Sequence, residues 1–220
     1  MKRFLNSAKK ILNKKPFRRL NYILDFSRKA TEDFIIRTAR KEIKSGSRIL
    51  DAGAGSVKYK KFFPDCIYKT QDFKQYGGID YVSDIVDIPV QEKSFDIIIC
   101  TEVLEHLPFA DFEIALKEMK RVSQEYVVIS LPHSSIFFSL TAIFPFIRTV
   151  FKKRYFNFFI KIPQFFRLNQ YDGQHYWEMG RRGTSKNKIK IILKKYFEIE
   201  KEFQPFLNFY HYFFILKIKE

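Results

Sequence analysis

Hydrophobic residues fall along this chain in two rhythms. In residues 2–13, Phe4, Leu5, Ala8, Ile11 and Leu12 share one helical face with lysines opposite, and Pro16 ends the run. Helical spacing returns around Arg18–Ser27 and from Thr31, a candidate N-cap, to Ile43. After Ser45-Gly46-Ser47 the rhythm shortens. Ile49 and Leu50 read as the end of a buried strand, Cys66–Asp72 and Tyr81–Ser83 as the second and third, and Phe95–Thr101, with its continuous apolar run, and Tyr126–Leu131 as strands buried on both faces. Between the last two, Phe112, Ala115, Leu116, Met119 and Val122 mark a helix with Asp111 as its cap. A helix over about Thr184–Tyr196 precedes two strand-like runs, Phe197–Phe203 and Tyr210–Ile218, with no helix between them.

Strands alternating with helices predict an α/β fold, a doubly wound and mostly parallel sheet, with the last two strands antiparallel at one edge. About fifty residues between Pro132 and Thr184 do not fit the repeat and read as an insertion. The expected organisation is a basic helical extension over 1–45, packed on a core domain over 46–220. The insertion, residues 134–183, is the expected substrate lid.

Charge divides along the same lines. The net +16 comes from 14 Lys/Arg against 4 Asp/Glu in residues 1–47, 10 against 14 in 48–125, and 16 against 6 in 126–220. A mildly acidic centre between basic flanks suits a cofactor core beside surfaces that meet anions: phosphorylated small molecules, nucleic acid or acidic lipid headgroups. An aromatic content of 18% excludes a disordered chain. Cys66 and Cys100 lie in apolar runs and give neither a disulfide framework nor metal-ligand spacing, which points to buried thiols in a reducing, cytoplasmic compartment. The longest apolar run, Ile136–Ile147, falls short of the ~20 residues that span a bilayer, and no secretory signal opens the chain.

The chemistry gathers at predicted strand ends. Asp51-Ala-Gly53-Ala-Gly55 follows the first strand as a tight turn, with Ser56 the expected cap of a helix to Phe63. That geometry suits a nucleotide-like cofactor, although the third glycine of the dinucleotide fingerprint is missing. Asp72, about twenty residues on, ends the second strand, where a carboxylate can accept both ribose hydroxyls. Asp84 and Ile85 follow the third, suited to an adenine amino group and an apolar ring contact.

Ile49–Gly55, Asp84-Ile85 and Ser94-Phe-Asp-Ile-Ile-Ile-Cys-Thr-Glu-Val-Leu-Glu-His-Leu-Pro108 together resemble the class I S-adenosylmethionine-dependent methyltransferases. The nearest group is the small-molecule branch with Glu-x-Leu-Glu-His after strand four. The resemblance covers residues 46–133 and implies a Rossmann-like seven-stranded sheet whose last strand inserts antiparallel. It also implies S-adenosylmethionine as cofactor. The methionine end would be held by Asp51, Ala52, Gly53 and Gly55 with Cys100 and Thr101, the ribose by Asp72, and the adenine by Asp84 and Ile85. Where such proteins often carry a further glycine, this chain has Val57.

For a hydroxyl acceptor a general base helps, and His106 and His133 follow the fourth and fifth strands. Asp172–Gly180 packs His175, Trp177 and Glu178 into the insertion, a set suited to a sugar or another ring. Alternatively its aromatic residues pin the insertion to the core and Glu178 pairs with Arg181 or Arg182. A His-Tyr-Trp-Glu element after strand five also resembles members of this branch encoded among surface-polysaccharide genes. Residues 135–168 carry ten phenylalanines among Lys152, Lys153, Arg154, Lys161 and Arg167. This composition suits an apolar lid with contact to an anionic bilayer at the inner membrane face. The expected enzyme methylates a small, glycan or lipid-linked acceptor. RNA methylation is a weaker reading, for want of an Asn/Asp-Pro-Pro-Tyr/Phe motif or an RNA module, and a non-catalytic scaffold is another.

Overall fold

A computed structural model describes residues 43–142, 156–204 and 210–219. The amphipathic helices expected before Ile43 lie outside the described residues, as do the side chains of most of the Phe-rich segment. The strands are β1 (Arg48–Ala52), β2 (Ile67–Asp72), β3 (Tyr81–Val82), β4 (Phe95–Thr101), β5 (Ser123–Pro132), β6 (Ser135–Ala142), β7 (Phe156–Pro163), β8 (Phe197–Phe203) and β9 (His211–Ile218). Helices α1 (Phe109–Val122) and α2 (Lys186–Tyr196) complete the regular elements among the described residues.

Seven strands form one sheet in the order β3-β2-β1-β4-β5-β9-β8. The first five are parallel, and β9 runs antiparallel between β5 and β8. This is the expected α/β Rossmann-like sheet with its antiparallel pair. Its order reverses at β1, so β1 and β4 run from the line where the chain switches direction. At that line their carboxyl ends leave a crevice for a ligand.

Alternation along the central strands explains why they lie inside. Ile98, Cys100, Val127, Ile129, Tyr212 and Phe214 enter one core cluster. Ile97, Ile99, Val128, Phe213 and Ile215 enter the other, on the opposite face of the sheet. Each buried aliphatic or aromatic side chain contributes about 1.5–3 kcal/mol, so the centre of the sheet is the rigid part of the domain. Helix α1 closes the first cluster with Phe112, Ala115, Leu116, Met119 and Val122, the five positions its spacing marks out.

Four local expectations change. The helix expected from Ser56 is a short 3-10 turn over Lys60–Phe62. Val57 has φ 53°, outside the right-handed helical region, and Pro64 leaves no length for recovery. Helix α1 begins at Phe109 after Pro108, which places Asp111 inside the first turn, where its charge favours the helix end, and not at the cap. Cys66 is half-buried in the turn before β2, whereas Cys100 is fully buried. The insertion carries an unforeseen hairpin, β6 paired antiparallel with β7. Its β-branched and aromatic residues favour strands, and apolar runs of this length do not by themselves separate strand from helix.

Candidate active site

At the carboxyl edge of the sheet, β1 runs straight into the glycine bend. Gly53 has φ 76° and Gly55 φ 50°. A Cβ on Gly53 would stand 2.3 Å from Val103 Cγ2, so the position accepts neither the conformation nor the volume of another residue. The bend is tied to β2. Gly53 N–H and Ala54 N–H donate to the Gln71 carbonyl at 2.8 and 3.0 Å, and Gly53 N–H also meets Gln71 Oε1 at 3.2 Å. Gln71 in turn donates through Nε2 to the Ser83 carbonyl at 2.6 Å, linking the bend to the turn that carries Asp84.

Asp72 sits beneath this bend. One carboxylate oxygen accepts Gly55 N–H at 2.9 Å and the other accepts Lys74 N–H at 3.1 Å. A carboxylate has roughly four acceptor directions, so both oxygens keep capacity for a ribose diol. Space beside Gly55 is open, with nothing within 4 Å of where its Cβ would stand. A fixed carboxylate next to an open glycine face fits an adenosine-bearing cofactor.

The remaining cofactor candidates are placed unevenly. Asp84 is exposed, its Oδ1 accepting Val86 N–H at 3.2 Å. Ile85 turns its side chain into the core, so any contact it makes with a purine runs through its backbone. Asp51 and Cys100 are buried at the ends of β1 and β4, and Thr101 is half-buried. Burial pushes the Asp51 carboxyl up to about 7, against the opposing hydrogen bond that it accepts from Tyr68 at 2.7 Å. Burial also raises the Cys100 thiol well above its ordinary range.

Past β4 the chain turns at Glu102, a non-glycine residue with φ 58°, held by Ser130 Oγ accepting its N–H at 3.1 Å. Backbone in this sparsely occupied region gathers at functional sites. Val103, the residue against Gly53, then leads into a 3-10 turn over Leu104–His106. The glycine bend and the histidine-bearing turn are therefore in contact. Glu105 is 1% exposed; burial raises its carboxyl to about 8, helped by Glu102 and Glu178, and among the described residues its Oε2 has no hydrogen-bond partner.

Opposite this turn lies the segment from Asp172 to Gly180. Asp172 Oδ1 accepts the N–H groups of Gln174 and His175 at 3.0 and 2.7 Å, which shapes the turn. Tyr176 N–H donates to the Glu105 carbonyl at 2.9 Å, and His106 Nδ1 meets the Gln174 carbonyl at 2.8 Å. The rings of His106 and His175 stand edge to face, 5.0 Å apart. His175 Nδ1 lies 3.2 Å from the Tyr210 hydroxyl and 3.5 Å from Glu178 Oε1, and Tyr210 donates to that same oxygen at 2.9 Å. Arg181 pairs with the other Glu178 oxygen at 2.8 Å, both side chains being buried.

Of the three substrate candidates, Trp177 is not presented to a ligand. Its ring is 1% exposed and packs edge to face on Phe109 and Phe112, anchoring the segment to α1. His133 is buried between Tyr212, edge to face at 5.7 Å, and Gly180, where a Cβ would come within 2.9 Å of the ring. Gln71, Glu105, Tyr210 and the pair His211–Glu102, 3.0 Å apart, were not foreseen as site residues. Glu102 and Glu105 carried a local signal, as the two acids of the Glu-x-Leu-Glu-His run; Gln71, Tyr210 and His211 come from other parts of the chain and share no motif with it.

Residues 63–128 match a family described as a methyltransferase domain. No curated protein matches the chain. Among solved structures, magnesium protoporphyrin IX methyltransferase from Synechocystis PCC 6803, with S-adenosylhomocysteine bound, is 14% identical. That likeness covers 97% of this chain and 99% of that one at a TM-score of 0.56. The 1,6-didemethyltoxoflavin-N1-methyltransferase of Burkholderia thailandensis is 11% identical over 91% and 87%, with a TM-score of 0.57. A protein of Pyrococcus horikoshii OT3 is 14% identical over 94% and 93%, with a TM-score of 0.56. Residues 63–128 thus resemble a methyltransferase domain, and the chain shares over almost its whole length the fold of solved S-adenosylmethionine-dependent methyltransferases.

Proposed function

We propose that this enzyme methylates a hydroxyl on a small-molecule, glycan or lipid-linked acceptor. The observation that carries the reading is the contact of Gly53 with Val103, which sets the cofactor bend against the turn bearing Glu105 and His106. The structurally similar enzymes from Synechocystis and Burkholderia are named for a porphyrin and a toxoflavin precursor, which supports a small acceptor over a macromolecular one.

Asp72, Gly53 and Gly55 would hold the cofactor, with Asp84 and the Ile85 backbone at its adenine end. The cofactor supplies an electrophilic methyl on a sulfonium, so the protein's tasks are to align the acceptor and exclude water. The insertion would cover the acceptor, with His175 and Glu178 beside it and an imidazole of this edge, His106 or His133, taking the hydroxyl proton. Labelled S-adenosylmethionine incubated with fractionated cell extract tests the reading. Label in an alkali-stable ether of a small or lipid-extractable product is expected; label confined to RNA or protein would overturn it.

Exposed apolar residues on and after the hairpin support work at a lipid surface. Ile136, Ile160 and Ile162 are 45–51% exposed, and Phe165, Phe166 and Leu168 more so, with Arg167 among them. No described helix is long and apolar enough to cross a membrane, so this contact would be peripheral. Co-sedimentation with phosphatidylserine vesicles at low salt is expected; its absence removes the membrane part alone.

A further inference from the structure

We infer that Glu105, His106 and His175 bind a divalent first-row transition-metal ion at the acceptor side of the site. The inference rests on the methyltransferase reading for its purpose, but not for its geometry. One ligand atom from each residue lies within 4.8 Å of the others. Tetrahedral coordination at about 2.1 Å would bring ligand atoms to roughly 3.4 Å, a closure of up to about 1.4 Å from the present spacing that small side-chain rotations supply.

Hydrogen bonding fixes both rings for this task. A carbonyl oxygen only accepts, so His106 Nδ1 must donate to Gln174, leaving Nε2 with its lone pair. Tyr210 gives its proton to Glu178, so His175 Nδ1 must in turn donate to that hydroxyl and carboxylate. Its Nε2 is then bare as well. Histidines that bind metals are held in this way, the far nitrogen donating to a carbonyl or a carboxylate. Arg181 anchors the Glu178 carboxylate from its other side.

Glu105 supplies the independent observation. Its carboxylate is buried, within reach of both imidazoles, and among the described residues its Oε2 lacks any partner. A buried oxygen without a partner costs about 1–3 kcal/mol, and a cation would relieve that cost. An overlapping set of Asp172, His175 and Glu178 is also close enough for coordination. Its carboxylates are already engaged, Asp172 by two backbone N–H groups and Glu178 by Tyr210 and Arg181. Two imidazoles and one carboxylate suit zinc, manganese, iron or cobalt better than magnesium or calcium. Three protein ligands leave positions open for an acceptor oxygen, whose pKa the ion would lower. His106 is then a ligand and not the base.

Zinc chloride titrated into the full chain by calorimetry, with Co2+ absorption as a second probe, tests the site without turnover. One ion per chain is expected. His106→Ala and His175→Ala should each weaken zinc binding about a hundredfold, and Glu178→Gln about tenfold by releasing the His175 ring. Asp172→Asn should leave it within twofold. Glu105→Gln, nearly isosteric, covers the case in which a histidine variant misfolds, and should also lose at least tenfold. No zinc heat, or unchanged affinity in Glu105→Gln, would overturn the site. S-adenosylmethionine titrated into the same samples separates the two readings. Cofactor binding without zinc binding sinks the metal and spares the methyltransferase, and the reverse result does the opposite.

Discussion

The glycine bend and the histidine cluster stand side by side at one sheet edge, yet they are held by different means. The bend is fixed by backbone N–H groups donating to Gln71 and Asp72, residues of the adjoining strand. The cluster is fixed by side chains, Tyr210, Glu178, His175 and His106, that arrive from β4's end, the insertion and the start of β9. A backbone-held site tolerates change at its surface but not at its glycines. A side-chain-held site loses orientation when any one member is removed, while the fold stands.

Substitutions can break that contrast. Gly53→Ala should have the largest effect, because it combines a positive φ with a 2.3 Å collision. At least a hundredfold loss of S-adenosylmethionine affinity is expected by calorimetry; near wild-type binding would mean that the bend is not rigid. Asp72→Asn should cost cofactor affinity tenfold or more, whereas Tyr210→Phe should leave it within twofold and lower kcat about tenfold. Equal effects of the two on affinity would erase the distinction between the halves.

Buried carboxyls extend the comparison to pH. Asp51, at about 7, and Glu105, at about 8, keep protons in the folded state that the unfolded chain has already released. Both folded values are raised, so the stability they contribute is lost as pH rises through them. His211, lowered chiefly by burial, acts in the opposite sense below its ordinary range, which makes pH 6.5–8.5 the clean window. The melting temperature should fall by several degrees from pH 6.5 to 8 and then level, and Asp51→Asn should flatten part of the fall. A rising curve would contradict the burial of both groups.

The smallest effect is expected at Val57. A β-branched residue at φ 53° is strained, a conformation that glycine adopts freely. Val57→Gly should be neutral or stabilise by up to about 1 kcal/mol in urea unfolding, the relief of strain outweighing glycine's entropy. A clear loss would mean that Val57 packing, near Gly78, matters more than its backbone.

Taken alone, the sequence determined the sheet, its antiparallel last pair, the glycine bend and the carboxylate at the end of β2. These depend on alternation, helical spacing and turn chemistry, which act between near neighbours in the chain. It misjudged the helix after the bend, because Val57 reads as an ordinary apolar residue until its φ is known. It could not see the hairpin, the burial of Trp177 against α1, or the approach of His106 to His175, whose neighbour Gln174 lies 68 positions along the chain from His106. Those depend on where the insertion folds back, and only packing of distant segments decides which imidazoles meet and which carboxylate oxygen is buried without a partner among the described residues.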